Sequence, residues 1–422
     1  MEVLAPLPQV HIDQLQSGIF VLLDMGWLDH PFPVNSFLIK SADQIDTLRE
    51  LGLQMVSFDP QRSHVAPLPL SLPLKAEPAM ATPVNITLKN VRLMDEKRTR
   101  TGRTTAHRER VQAFEKRYEE SIASTKNVLA EILRDPQCAA VQASTISEQL
   151  TSSFLDDPGA TVMMVSSQKL DDLSTQHALN VMILTMVICK GLGVSREIMS
   201  AAGVGALLHD IGKTSISKTV WRKSQRNRSE ETLYRLHGEY GLQIVGEHVN
   251  PGVRAVIRQH HECVDGSGFP EGSKGAQINP LARIVAIADR YDTLCNPLRI
   301  ADAVHPAEAV STMFAREAKR FDANMLAVLI RELGIYPPGS FVSLSNGSLG
   351  LVIAATSGNT LKPTVMVYEP GVPRNEAVVV NLTETTDVKI DGVLKPETLD
   401  RSVIDYLNPR MRLSYYVQSS EL

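Results

Sequence analysis

The sequence predicts a multi-domain protein centred on an all-α helical bundle, with a small α/β domain before it and a β-rich appendage after it. Three observations predict this. Residues 160–335 repeat apolar side chains at steps of three and four, the period of helices buried on one face. Residues 1–59 alternate strand and helix signals. Beyond Pro337, short apolar runs are parted by turn pairs such as Asn346-Gly347. At 422 residues the chain is long enough for about three domains.

Bulk properties exclude several classes. A net charge of −4 asks for neither a nucleic acid polymer nor a membrane surface. The cysteines Cys138, Cys189, Cys263 and Cys295 lie far apart with no CxxC pair, which points to a reduced, cytoplasmic protein. Met1 to Val10 lacks the basic and apolar parts of a signal peptide. The longest apolar run, Val181 to Cys189, is far short of the ~20 residues a membrane span needs.

In the first 59 residues, Ile19–Leu23, Phe37–Ile39 and Met55–Phe58 read as strands. Ser41 with Gln44 spells a capping box, Ile45, Leu48 and Leu51 mark one helical face, and Gly52 is a stop. Residues 60–104 form a linker, first rich in proline (Pro60, Pro67, Pro69, Pro73, Pro78, Pro83), then basic. The segment 105–155 is a helical connector. Val111, Phe114, Tyr118, Ile122, Thr125, Leu129 and Ile132 make one stripe, able to pack on its own domain or pair with a second copy. Asp135-Pro136 ends that helix and a second runs to about Leu150.

The bundle, residues 160–335, reads almost wholly as helix. Leu173, His177, Val181, Leu184 and Ile188 share a face; the next helix runs from about Arg196 to His209. Ser229 opens a further helix with His237 on its inner side, and Pro251 restarts the chain toward His260 and His261. Asn279-Pro280 is a cap, behind which Ala288, Asp289 and Asp292 fall on one side. In the tail, 337–422, Phe341–Leu344 and Leu351–Ile353 flank the Asn346-Gly347 turn, and Thr364–Tyr368 and Ala377–Leu382 add strands.

The chemistry centres on His209-Asp210-Ile211-Gly212-Lys213. An aspartate can bridge two metal ions while the histidine beside it fixes one. Five histidines (His177, His209, His237, His260, His261) and two aspartates (Asp210, Asp289), each on the inward side of its helix, offer nitrogen and oxygen donors without sulfur. That set suits two divalent ions from Mn, Fe, Ni and Zn. Lys213, one turn past His209, is placed to hold a phosphate oxygen, so the substrate class is a phosphate ester or anhydride. A lone buried histidine is more often a satisfied core residue than a ligand; five at helical positions with two aspartates reverse those odds.

Gly266-Ser267-Gly268-Phe269-Pro270, after His260-His261-Glu262 and Asp265, resembles the signature of the HD-GYP family, a subgroup of the HD metal-dependent phosphohydrolases. Ala282-Arg283-Ile284, Ala288-Asp289 and Tyr291-Asp292 extend the likeness across about 160–335. The N-terminal segment, with Ile12-Asp13, Gly18, Trp27, Pro31-Phe32 and Phe37–Lys40, resembles a domain of unknown function that often precedes it. The resemblance implies an HD-type fold and hydrolysis of cyclic di-GMP to linear pGpG and on to GMP. It implies that His177, His209, Asp210 and Asp289 hold one metal, and Asp210, His237, His260 and His261 the second, with iron or manganese ahead of nickel and zinc. Lys213 would contact the scissile phosphate, and Gly266, Gly268, Phe269 and Pro270 would shape the substrate site and a contact with GGDEF-domain diguanylate cyclases.

The chain departs from the family pattern in places. Leu173 stands where some members carry a glutamate for a third metal, so two ions are expected. Phe269 replaces a tyrosine. A basic insert, Lys218 to Arg228, follows Lys213, and past Asp292 only Arg299 remains near the expected substrate-binding register. These departures keep two alternatives alive: a non-catalytic cyclic di-GMP receptor or docking protein, and an HD phosphohydrolase acting on another nucleotide.

Overall fold

The short apolar runs at the start of the chain pair into one antiparallel sheet. Strands β1 (Gln9–His11), β2 (Phe20–Leu22), β3 (Ser36–Leu38) and β4 (Met55–Phe58) lie in the order β1-β4-β2-β3. Helix α1 (Ala42–Glu50) contributes Ile45 and Leu48 to a core shared with Val10, Ile19, Val21 and Val56. The expected capping box does not form as spelled. Ser41 makes no side-chain cap bond, and Gln44 reaches back to the Lys40 N–H instead, at 2.7 Å. Gly52 does end the helix, with φ of +75°. The start of the proline-rich stretch runs along this sheet, His64 N–H donating to Gly18 O and Leu68 N–H to Gln14 O.

The computed structural model describes residues 8–23, 30–32, 36–69, 113–157, 160–165, 172–355, 359–369, 372, 374, 377–385, 388–408 and 412–418. Trp27, the later prolines and the basic run from Lys97 to Arg110 lie outside the described residues. The chain divides into two compact units, residues 1–107 and 108–422.

The second unit holds the bundle. Helix α2 covers residues 113–131 and buries Phe114, Tyr118, Ile122, Thr125 and Val128, close to the predicted stripe. Helix α3 (Pro136–Leu155) starts at Asp135, whose carboxylate accepts from the Cys138 N–H. Helices α4 (Leu173–Leu192), α5 (Arg196–Leu208), α6 (Lys218–Trp221), α7 (Arg228–Arg235), α8 (His237–Val245), α9 (Pro251–Gln259), α10 (Pro280–Cys295), α11 (Pro306–Ala315) and α12 (Ala323–Leu333) follow. The predicted helix from Ser229 is two helices, and Asn227 with Glu230 supplies the capping box of the first. Helix α4 is buried nearly all round from Thr175 to Cys189, not on one face only. It lies against α3, α5, α10 and α12, the position of a central helix.

The β-rich tail is woven into this unit. Strands β5 (Thr161–Val165), β6 (Phe341–Leu344), β7 (Leu349–Ala354), β8 (Thr364–Val367), β9 (Val378–Asn381), β10 (Ile390–Leu394) and β11 (Ser414–Gln418) make one seven-stranded sheet, and helix α13 (Arg401–Leu407) precedes β11. The Asn346-Gly347 hairpin forms between β6 and β7, as its turn chemistry requires. Thr161–Val165 was expected within the helical region but is a strand, paired antiparallel with β11 from Val165↔Ser414 to Thr161↔Gln418. A continuous run of Val and Met, buried on both faces, carries no period that separates strand from helix.

Candidate metal centre

Each element of the bundle delivers one or two polar groups to a common point. His177 projects from α4 one turn after its Asp172 cap. His209 closes α5, Asp210 follows, and residues 211–215 turn back in a 3-10 helix that returns Lys213 onto Asp210, where the two form an ion pair. A Cβ on Gly212 would overlap the carbonyl of His237, so only glycine lets this turn meet the start of α8. His237 begins α8, His260 closes α9 with His261 next, and Asp289 lies within α10.

The result is two ligand groups with a shared member. One donor atom from each of Asp210, His237, His260 and His261 lies within 4.8 Å of the others, and the same holds for His177, His209 and Asp210. Asp210 Oδ1 faces His237 Nε2 at 3.7 Å and His260 Nε2 at 3.6 Å. Its Oδ2 faces His209 Nε2 at 3.4 Å and His177 Nε2 at 3.7 Å. Asp289 completes the ring: Oδ1 is 3.2 Å from His177 Nε2 and 3.9 Å from His209 Nε2, and Oδ2 is 3.9 Å from His261 Nδ1.

The outward nitrogens of four rings are tied down, which decides what the inward ones offer. Nδ1–H of His209 donates to Ala206 O at 2.6 Å and that of His237 to Tyr234 O at 2.7 Å. Nδ1–H of His260 donates to Ile257 O at 3.1 Å, while Nδ1–H of His177 donates to the Asp292 carboxylate at 2.6 Å. Each Nε2 is thereby left facing Asp210. His209 Nε2, His261 Nε2 and Asp210 Oδ1 are buried with no hydrogen-bond partner, and His237 Nε2 stands 3.1 Å from His260 Nε2. Orphaned buried donors and acceptors are costly, and two imidazole lone pairs repel at that distance. A divalent cation in each of the two groups would satisfy these five atoms, so this all-nitrogen-and-oxygen set fits metal.

Burial opposes charge throughout, and the partners decide what survives it. Burial pushes His237, His260 and His261 down, His237 to about 3, with neighbouring imidazoles adding to the effect. Burial acts the same way on His177, but hydrogen bonds to Asp289 and Asp292 outweigh it and carry His177 up to about 10. Burial would raise the carboxylates. Lys213 and His209 nevertheless hold Asp210 well below the ordinary range, and His177 does so for Asp289.

The glycine-rich segment covers the three-histidine group. The Phe269 ring packs on His261 at a tilt of 31° with centroids 4.6 Å apart, and the Phe269 backbone N–H donates to His261 O. Gly268 presses on the backbone of His261 to Cys263 with no room for a side chain. Buried Glu262 accepts from the Glu271 and Ser273 N–H groups and ties the far end of the loop down. Arg299, in contrast, is exposed and forks onto Asp302. Among the described residues its hydrogen bonds and ion pairs reach no member of the ligand groups. The basic insert folds as α6 and the approach to α7, and Arg226 lies 3.7 Å over the ring of Tyr234, a residue the sequence reading passed over. That ring also borders Lys213 at 5.5 Å and His237 at 5.1 Å. Asp292 was read on the same side as Asp289 but given no role, and Asn180 was missed; helical spacing of three from His177 was the signal that could have found it.

Two family models match this chain. The HD domain family model matches residues 161–325, and a domain of unknown function (DUF3391) matches residues 7–143. The cyclic di-GMP phosphodiesterase PA4108 of Pseudomonas aeruginosa is 28% identical over 375 residues, 86% of this chain and 85% of that protein. The 3'3'-cGAMP-specific phosphodiesterase 1 of Vibrio cholerae is 32% identical over 162 residues, 37% of each chain. The solved structure of Bd1817, an HDG"Y"P protein from Bdellovibrio bacteriovorus, superposes with a TM-score of 0.43 at 15% identity, covering 76% of this chain and 97% of that one. The chain thus carries an HD domain behind a domain of unknown function. Among the described residues no helix is long and apolar enough to cross a membrane.

Proposed function

We propose that this chain is a metal-dependent phosphodiesterase that hydrolyses cyclic di-GMP to pGpG and on to GMP. The observation that carries the reading is Asp210, which is common to both ligand groups and has the Lys213 ammonium beside it. The first ion would be held by His177, His209, Asp210 and Asp289, the second by Asp210, His237, His260 and His261. Two bound divalent ions, with iron or manganese favoured, would supply a water acidified toward neutrality and charge to balance the phosphate. Lys213 stays charged because Asp210 outweighs its burial, and can hold a phosphate oxygen as negative charge grows. Tyr234 and Phe269 add aromatic rings beside the histidines of the second group. The substrate class follows the relative matched along most of its length, named for cyclic di-GMP.

The test is turnover by the purified chain loaded with Mn or Fe(II). Release of pGpG and then GMP from cyclic di-GMP is expected. Metal and nucleotide binding without product would instead make the chain a receptor. Faster cleavage of 3'3'-cGAMP would move the substrate toward that of the Vibrio relative.

A further inference from the structure

Helix geometry alone anchors His209, His237 and His260, since each Nδ1–H meets a carbonyl three residues back on its own chain segment. His177 differs. Its Nδ1–H meets the carboxylate of Asp292, 115 residues away, and that carboxylate is itself held. Asn180 Nδ2 and Asn296 Nδ2 each donate to Asp292 Oδ1 at 2.8 Å. Asp292 and Asn180 are both completely buried.

What fixes the two amides is the backbone at the start of β11. Leu413 N–H donates to Asn296 Oδ1 at 2.8 Å and Tyr415 N–H donates to Asn180 Oδ1 at 3.2 Å. Leu413 O accepts from Asn180 Nδ2 at 3.0 Å and from Asn296 Nδ2 at 2.9 Å. A main-chain N–H can only donate and a main-chain carbonyl can only accept, so neither amide can flip. Both must present N–H to Asp292, which must therefore accept on Oδ1. Its remaining oxygen then accepts from His177 Nδ1–H, and His177 Nε2 faces Asp210 and Asp289.

We propose that the backbone of Leu413 and Tyr415 sets the tautomer and ring angle of His177 through Asn180, Asn296 and Asp292, so that the C-terminal strand readies one of the two metal sites. The inference rests on the metal reading of the centre. These three side chains are positioning residues: they act on the metal through His177, and none of them faces Asp210. Arg412 reinforces the joint by donating to Pro297 O and Leu298 O, just past Asn296.

The test uses the full chain and three variants, Asn296→Ala, Asp292→Asn and Ser121→Ala. Asp292→Asn keeps the volume but cannot accept from His177 and both amides at once. Ser121→Ala removes a hydrogen bond to Tyr416 on the same strand, outside the relay. Each protein is titrated with Co(II), following the absorption bands of the two sites and the bound stoichiometry. In Asn296→Ala and Asp292→Asn one site is expected to weaken by about 10–100-fold while the other is unchanged, as orienting partners of metal-bound histidines do. Ser121→Ala should match wild type. Two unweakened sites in both relay variants would overturn the proposal, as would equal loss at both sites, which would mean general loosening. A wild-type chain that binds no Co(II) would overturn the metal reading itself, a result separable from failure of the relay.

Discussion

The two ligand groups around Asp210 solve one problem by opposite means. His237, His260 and His261 form a neutral cluster, held uncharged by burial, two of them anchored on carbonyls of their own helix turns. His177 and Asp289 form a charged cluster, in which a histidine raised to about 10 lies beside a carboxylate held low. The first cluster is prepared by local geometry and can meet a cation without releasing a proton. The second is prepared by tertiary contacts and must exchange a proton for a metal. Local anchoring makes a site robust to change elsewhere; remote anchoring makes it answerable to the rest of the fold.

The comparison breaks completely at the member both clusters share. Asp210→Ala should empty both sites and lower kcat by more than about 10³-fold, beyond the 10²–10³ typical of deleting a single electrostatic donor. Elemental analysis with the nucleotide assay checks this, and a variant that keeps two ions would dismiss Asp210 as the bridge. Next in size is Lys213→Ala. It should leave both ions in place and lower kcat by about 10²–10³-fold, with product formation measured at saturating substrate. Loss of metal in that variant would mean that Lys213 supports the carboxylate rather than the phosphate.

Acidification should separate the clusters instead of breaking them. Below about 10 an ion binding at His177 displaces one proton, so its apparent affinity should fall by about tenfold per pH unit as the pH drops. At His237 no proton competes until the pH nears 3. Asp210 and Asp289 stay ionised because both are held below the usual carboxylate range. Metal content followed from mildly alkaline to mildly acidic pH should therefore fall by one ion, the His177 site emptying while the neutral site keeps its own. Simultaneous loss would show that proton competition at His177 does not distinguish them.

The same division decides how much was legible in the sequence. His209-Asp210, His237, His260 and His261 could be read because their places depend on helical period and on carbonyls a few residues away. The aspartate of α10 was readable for the same reason. Asn180 and Asn296 were not, although Asn180 sits three residues past His177 on α4 and Asn296 four past Asp292 at the end of α10. Their meaning lies in main-chain atoms of β11, up to 235 residues distant, which no pattern of side chains records. Strand β11 itself, Ser414–Gln418, was overlooked, and with it the pairing that draws Thr161–Val165 out of the helical register. The error at Ser41 is of another kind. The residue types of a capping box were present, but the hydroxyl made no bond and Gln44 found the N–H one residue earlier.

The smallest effect tests how self-sufficient the neutral cluster is. Phe269 packs at a tilt against His261 and receives the Arg235 guanidinium 4.9 Å above its ring. Phe269→Leu keeps an apolar cover but removes both ring interactions, which together should cost about 1–2 kcal/mol in denaturant stability. Because the other two histidines keep their carbonyl anchors, affinity at the neutral site should weaken only a few-fold and affinity at the His177 site should not change. A large loss confined to the His177 site would mean that the loop over His261 governs the charged cluster, and that the two halves are one coupled unit rather than two designs meeting at Asp210.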